Sequence, residues 1–481
     1  MKLINILVIL QILSIILFLE SIFFLFCLPV AFIYNESPNP FLWSFAITLV
    51  LSILLFDPRR RETLQKISNR EGFLAVTLSW LLIIGFGALP FIFSGTIPSF
   101  VDAFFESCSG FSTTGSSILS DVESLPKSIL FWRSLTHWIG GLGIIVLMII
   151  ILPSLKVTGY RLFSLESSLK EKILPKTKAI GFRFLFIYLG LTFFEVILLD
   201  AGEMDLFDSI CHTFGTIATG GFSTKNTSIL DYSAYSQYII AFFMLLSGVS
   251  FVVYYYFVKL NFRKIRENEE LWFYLVSIIA AIAIATSILL AETNRPFEVA
   301  FRESSFQVIS ILTCTGYSSA DYLQWPQTVI LFLFFLMFAG GSTGSTSGGI
   351  KMARHLIVVK NIKSSFVKLV HPKVVSQVRL NDKPLSDKTN ISIISFVVLY
   401  LFIFLIGTII VVITGSDPVS AASAVAASMA NLGPGLGTVG PMSNYAHLPQ
   451  LTKVVLSLLM IIGRLEIYTV FILFTKSFWR L

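Results

Sequence analysis

Four short polar tracts carry the residues that could do chemistry. They are Ser112-Thr113-Thr114-Gly115-Ser116, Ile217-Ala218-Thr219-Gly220-Gly221, Thr313-Cys314-Thr315-Gly316-Tyr317 and Ala430-Asn431-Leu432-Gly433-Pro434. Their central glycines, Gly115, Gly220, Gly316 and Gly433, recur roughly every hundred residues, which points to one unit used four times. The chemistry such tracts offer is coordination of a dehydrated monovalent cation. Backbone carbonyls can replace its hydration shell, and glycine allows the φ > 0 geometry that turns carbonyls inward. One such tract would pass for ordinary turn punctuation between helices. Four, each with the same upstream pattern, form a pore when gathered about one axis.

The elements that must position these tracts lie in a membrane. The chain has 481 residues, is 55% hydrophobic and only 13% charged, and has a mean hydropathy of +0.82. Soluble domains carry roughly 25% charged residues. Apolar runs long enough to cross a bilayer occur near 4–34, 41–56, 73–94, 128–152, 181–200, 235–258, 271–291, 326–350, 391–414 and 450–475. The first lacks a basic leader and a small-residue cleavage site, so it is expected to be retained as a span. Cys27, Cys108, Cys211 and Cys314 show no CxxC spacing and indicate neither zinc nor a disulfide framework.

Basic residues alternate along the connections. Arg59, Arg60, Arg61, Lys66 and Arg70 follow the second run; Lys156, Arg161, Lys170, Lys172, Lys176 and Lys178 follow the fourth. Lys259, Arg263, Lys264 and Arg266 follow the sixth, a long series from Lys351 to Lys388 follows the eighth, and Lys476 and Arg480 end the chain. The positive-inside rule then predicts cytoplasmic termini and polar tracts that open outward. It also explains the net charge of +7 without nucleic acid.

Short, moderately apolar stretches at 99–112, 204–217, 297–313 and 417–430 precede the polar tracts. They are too short to span and suit re-entrant half-helices whose C-terminal carbonyl ends face the membrane centre, where the helix dipole favours a cation. Asp102, Asp208, Glu303 and Asp417 stand near their outer starts, as helix caps or as a means of concentrating cations. The expected fold is an all-α polytopic membrane protein: four pseudo-fourfold span–pore-helix–span repeats around a central ion pore, preceded by two extra transmembrane helices. The expected boundaries are 1–70 for the two-helix preface, then 71–155, 178–262, 270–365 and 388–481 for the repeats.

Other groups stand out within the apolar runs. The tract Ala339 to Gly349 contains Gly340, Gly341, Gly344, Gly348 and Gly349, and glycine costs about 1 kcal/mol per helical position relative to alanine. An intramembrane loop beneath the filter is expected there; Ile350 in place of lysine excludes a Walker A motif. Arg464 falls near the middle of the last run, where a central charge costs about 2.5–3.5 kcal/mol on insertion scales. It must face a pore or pair with Glu466 or another acid. Arg133 and His137, one turn apart, suggest a hydrogen-bonded pair rather than a proton relay. Glu20 and Glu195 are intramembrane acids to which no role attaches. The scattered His137, His212, His355, His371 and His447 form no catalytic constellation, so no enzyme is expected.

The tracts Thr219-Gly220-Gly221-Phe222-Ser223-Thr224, Asn431-Leu432-Gly433-Pro434-Gly435 and Gly463-Arg464-Leu465-Glu466 resemble those of the TrkH/TrkG/KtrB superfamily of potassium transporters, most closely the TrkH branch. The resemblance extends over essentially the whole chain, including the two-span preface. It implies a bacterial inner-membrane potassium uptake pore, with K⁺ held at Thr114, Gly115, Thr219, Gly220, Thr315, Gly316, Leu432 and Gly433. It further implies that the 339–349 loop occludes the pore and moves on activation, that Arg464 helps gate below the filter, and that the chain forms a homodimer. The implied partner is a cytosolic TrkA-like ring that binds NAD(H), ATP or ADP; no organic cofactor is expected on this chain. With one shared glycine per repeat, K⁺ and Rb⁺ should be favoured over Na⁺, though less sharply than in tetrameric channels. A secondary symporter coupling K⁺ to H⁺ or Na⁺ is the alternative; repeats of one orientation favour the channel-like reading over the inverted repeats usual in alternating access.

Overall fold

A computed structural model describes residues 4–57, 68–146, 173–374 and 377–479. Arg59, Arg60, Arg61 and Lys66, the basic residues Lys156 to Lys172, and the end of the 128–152 run lie outside the described residues.

The preface is a pair of antiparallel helices. Ile6–Leu25, continued by Leu28–Ile33, packs along Asn39–Leu55. Both are apolar on nearly every face, as lipid-embedded helices must be. Ser14 and Ser52 therefore satisfy their hydroxyls across the seam, each donating to the other's carbonyl at 2.8 Å. The preface joins the rest through Glu71, which closes a capping box with Ser68 and also accepts from the Asn5 amide at 2.9 Å.

From residue 68 onward one order of elements recurs four times: helix, short half-helix, extended tract, helix. The first pass is Asn69–Gly87 extended by Leu89–Phe93, then Phe100–Phe111, then Lys127–Val146. Ile173–Asp200, Leu206–Ile217 and Ala234–Ser247 form the second. Glu269–Glu292, Phe297–Leu312 and Gln327–Leu336 form the third, and Asp387–Ile413, Pro418–Ala430 and Gln450–Arg464 the fourth. The half-helices fall within two residues of the expected stretches.

Three of the later apolar runs are not continuous helices; the loop in the third repeat is expected from the sequence, the breaks in the second and fourth are not. Ala234–Ser247 turns by 94° into Phe251–Val258, and Gln450–Arg464 turns by 110° into Ile467–Phe474. The 326–350 run is helical only to Leu336; a helix resumes at Met352–Val370. A broken helix at membrane depth must have its freed backbone groups satisfied by protein. Here the breaks satisfy one another. The Gly248 carbonyl accepts from the Ser342 amide at 2.8 Å, and the Phe251 amide donates to the Gly344 carbonyl at 3.0 Å. A two-stranded hairpin, Arg379–Leu380 against Lys383–Pro384, follows Met352–Val370.

The acidic residues expected to cap the half-helices divide by position. Only Asp417 is itself an N-cap, accepting from the Ser420 amide at 3.0 Å. Ser99 and Asp205 cap the first two half-helices. Asp102 lies in the first turn and pairs with Lys453 at 2.8 Å, while Asp208 accepts from the hydroxyls of Thr224 and Tyr232. Glu303 sits well inside its half-helix and pairs with Arg295.

Candidate functional site

Each half-helix ends in the same way. The amides of Thr113, Thr219, Cys314 and Asn431 bond back to the carbonyls three residues earlier, and those of Thr114, Gly220, Thr315 and Leu432 to the carbonyls five residues earlier. This is the Schellman pattern, which requires a left-handed residue at the turn. Thr113, Thr219, Cys314 and Asn431 supply it with φ between 54° and 56°. None is glycine, and the left-handed conformation costs roughly 1–2 kcal/mol at such a residue. Surrounding contacts hold them in place: the Asn431 amide nitrogen donates to Thr114 Oγ1 at 3.0 Å and to the Met460 carbonyl at 2.9 Å.

Two residues beyond each turn the chain again takes positive φ, at Gly115 (87°), Gly221 (81°), Gly316 (85°) and Gly433 (108°). These four glycines close a ring. A Cβ on Gly115 would lie 2.2 Å from the Gly220 carbonyl oxygen, on Gly221 2.0 Å from that of Thr315, on Gly316 1.9 Å from that of Leu432, and on Gly433 2.8 Å from that of Thr114. Each tract thus presses a bare Cα against the carbonyl of the next, and the fourth returns to the first. Glycine is required twice over, for its backbone angle and for the close approach.

This geometry moves the second tract by one residue. Gly221, not Gly220, is equivalent to Gly115, Gly316 and Gly433; Gly220, not Thr219, is equivalent to Thr114, Thr315 and Leu432. Thr219 is the left-handed turn residue, and its hydroxyl donates to the Ala218 carbonyl at 2.6 Å. Two adjacent glycines leave the register ambiguous in the sequence.

A buried polar scaffold braces the ring from behind. Glu106, which the sequence did not single out, accepts from Arg133 Nε at 2.7 Å, from the Ile118 amide at 2.9 Å and from the Ser117 hydroxyl. Arg133 also donates to the Ser223 carbonyl at 2.9 Å and lies 3.5 Å from the centre of the Phe222 ring. Arg133 and His137 do not bond to each other; both grip the second tract. His137 Nδ1 lies 2.7 Å from the Gly110 carbonyl and Nε2 accepts from the Phe222 amide at 3.2 Å, an arrangement that calls for the neutral Nδ1–H tautomer. The Tyr317 hydroxyl reaches the Phe222 carbonyl at 3.1 Å, and the Tyr445 hydroxyl donates to that of Gly433 at 2.8 Å. A cavity of about 150 Å³ opens on this side of the ring, bordered by Gly115, Gly221, Gly316 and Pro434.

On the opposite side lies the glycine-rich loop, buried from Gly340 to Gly348. It touches the ends of the half-helices. Thr346 Oγ1 lies 3.0 Å from the Ile217 carbonyl, and a Cβ on Gly348 would lie 2.0 Å from the Ala430 carbonyl oxygen. Gly344 and Gly349 take φ of 80° and 66°, and Gly340 and Gly341 are packed too closely for a Cβ. Arg464 is 3% exposed and sits at the end of its helix, at the break rather than in mid-span. It donates to the Thr346 carbonyl at 2.7 Å and to the Gly140 carbonyl at 3.1 Å. Glu466 is not its partner; that carboxylate binds Arg354 at 2.8 Å. Lys351, Arg354, Arg464 and Glu466 border a cavity of only about 20 Å³, room for roughly one water.

Comparison with known proteins agrees with this architecture. Residues 38–480 match the family described as TrkH, cation transport protein. The Trk system potassium uptake protein TrkH of Escherichia coli K12 is 35% identical over 459 residues, covering 94% of each chain. TrkH of Vibrio parahaemolyticus is 33% identical, covering 98% of this chain and 99% of that one. The crystal structure of the potassium transporter TrkH from Vibrio parahaemolyticus superposes with a TM-score of 0.90 at 32% identity, covering 99% of this chain and 100% of that one. This multi-pass membrane protein therefore belongs to the TrkH family of cation transport proteins, a family of ion transporters and not of enzymes.

Proposed function

We propose that the chain is the pore subunit of a Trk-type potassium uptake system, conducting K⁺ and Rb⁺ in preference to Na⁺ through a gated, channel-like path across the bacterial inner membrane. The closed ring of positive-φ glycines and neighbouring carbonyls carries this reading, because a ring of carbonyls at the ends of four helix dipoles is a site for a dehydrated monovalent cation. The K⁺ ligands are the carbonyls of Thr114, Gly220, Thr315 and Leu432, with the backbone of Gly115, Gly221, Gly316 and Gly433 beside them. The names of the relatives, potassium uptake proteins, support the choice of ion. The four repeats surround this ring as one pore, opening outward, with both termini in the cytoplasm.

The gate is the loop bearing Gly340, Gly341, Gly344, Gly348 and Gly349, pinned by Arg464. A homodimer and a cytosolic, nucleotide-binding, TrkA-like ring complete the system, with nucleotides bound by the ring. The test is flux from purified protein in liposomes with K⁺, Na⁺ and H⁺ gradients set independently. Downhill K⁺ and Rb⁺ flux exceeding Na⁺ flux is expected; uphill K⁺ movement driven by H⁺ or Na⁺ would establish the symporter instead.

A further inference from the structure

The intramembrane loop is closed by one buried carboxylate from another span. Glu270, the second residue of Glu269–Glu292, is 2% exposed. Its Oε1 accepts from the Thr343 amide at 2.6 Å and from the Ala353 amide at 2.9 Å. These two donors bracket the second half of the loop: Thr343 lies near its middle, and Ala353 is the second residue of the helix that leaves it. The donor at Ala353 would otherwise be an orphan. Met352–Val370 has Lys351 at its N-cap with no side-chain cap bond, and the first amides of a helix lack internal partners. Glu270 caps that helix from outside and holds the middle of the loop against it.

Its neighbour Glu269 grips the same helix one segment further on. Glu269 Oε2 accepts from Lys360 Nζ at 2.6 Å and from the Asn381 amide at 2.8 Å, while the Glu269 amide donates to Asn381 Oδ1 at 2.9 Å. Asn381 is in the turn of the hairpin Arg379–Leu380 and Lys383–Pro384. Two adjacent acids thus hold the middle of the loop, the first half of the helix after it at Ala353 and Lys360, and the hairpin.

We propose that Glu270 is the latch holding the loop under the filter, and that Glu269 ties this latch to the hairpin, so that displacement of the hairpin frees the loop. Glu270 is a positioning residue: it touches the loop backbone and not the ring carbonyls. The proposal rests on the reading of the loop as the gate, and two measurements on the full chain separate them. S345C places a thiol at a buried loop position, where labelling by a water-soluble maleimide reports loop release; the native cysteines are buried. Rb⁺ flux from liposomes reports conduction.

E270A removes two hydrogen bonds to a buried carboxyl oxygen, so S345C labelling and basal Rb⁺ flux are both expected to rise roughly tenfold or more. E270Q keeps an acceptor oxygen at the same reach and should raise both far less. K360M, which loosens the Glu269 grip, should produce a rise in labelling smaller than that of E270A. Labelling that stays at the wild-type level in E270A, or rises equally in E270Q, overturns the latch. Raised labelling with unchanged Rb⁺ flux leaves the latch standing and overturns the gating reading on which it was built.

Discussion

Arg464 donates to the Thr346 carbonyl at 2.7 Å and, through its other terminal nitrogen, to the Gly140 carbonyl at 3.1 Å. One guanidinium therefore joins the centre of the intramembrane loop to the second span of the first repeat. Gly140 in turn lies so close to the end of the first half-helix that a Cβ there would meet the Phe111 carbonyl oxygen at 2.0 Å. Through Ile217, Cys314, Ala430 and this last contact, the loop and Arg464 reach the ends of all four half-helices. The planar fork of arginine suits this double grip on backbone carbonyls, and a lysine point charge does not.

Removing that grip should free the loop. R464A forfeits two charge-assisted hydrogen bonds, worth about 1.5–3 kcal/mol each, and takes a cation from the proposed path. Basal Rb⁺ flux in liposomes is expected to rise at least tenfold, and R464K should fall between R464A and wild type. Flux at the wild-type level in R464A would show that the arginine neither pins the loop nor blocks the path.

The half-helices and the glycine-rich loop were legible because each is a local departure from an apolar background. A stretch too short to span followed by Thr-Gly, or five glycines in eleven residues, needs no distant partner to be noticed. The breaks at Gly248–Ser250 and Leu465–Glu466 were hidden for the opposite reason. Apolar residues surround both, and the charges Arg464 and Glu466 at the second read as a buried pair and not as a bend. What permits each break is a partner far along the chain: the loop at Ser342 and Gly344 for the first, Arg354 beside Glu466 for the second. Glu106 escaped notice similarly, since its arginine is 27 residues away on another element. Of the acids near the half-helix starts, Asp417 does cap, but Asp102, Asp208 and Glu303 misled because proximity in sequence does not decide capping; Ser99 and Asp205 hold the cap geometry of the first two.

The register of the second tract gives a sharp mutational contrast. A Cβ on Gly220 would meet the side chain of His137 at 2.4 Å, whereas one on Gly221 would meet the Thr315 carbonyl oxygen at 2.0 Å with φ already at 81°. Side chains can be trimmed, but the neighbouring backbone cannot. In an H137A background, adding G220A should therefore change Rb⁺/Na⁺ selectivity little. Adding G221A should abolish selective flux, because the left-handed penalty of roughly 1–2 kcal/mol is joined by a collision within the ring. Equal loss in the two double variants would return the filter position to Gly220.

The buried pair Glu106–Arg133 separates bracing of the ring from conduction itself. Their side chains are 0% and 4% exposed, and neither touches the ring carbonyls. R133M strands a carboxylate that retains only Ser117 and Ile118 as partners, and breaking a buried pair from one side costs about 3–5 kcal/mol. Pairing it with E106Q removes the stranded charge and keeps one acceptor oxygen that both donors can reach, so thermal stability in detergent should recover most of that loss. Selectivity should recover less, since the Ser223 carbonyl and the Phe222 ring lose their arginine in both variants. A double variant as unstable as R133M alone would mean that the arginine acts through its contacts with the second tract and not by balancing Glu106.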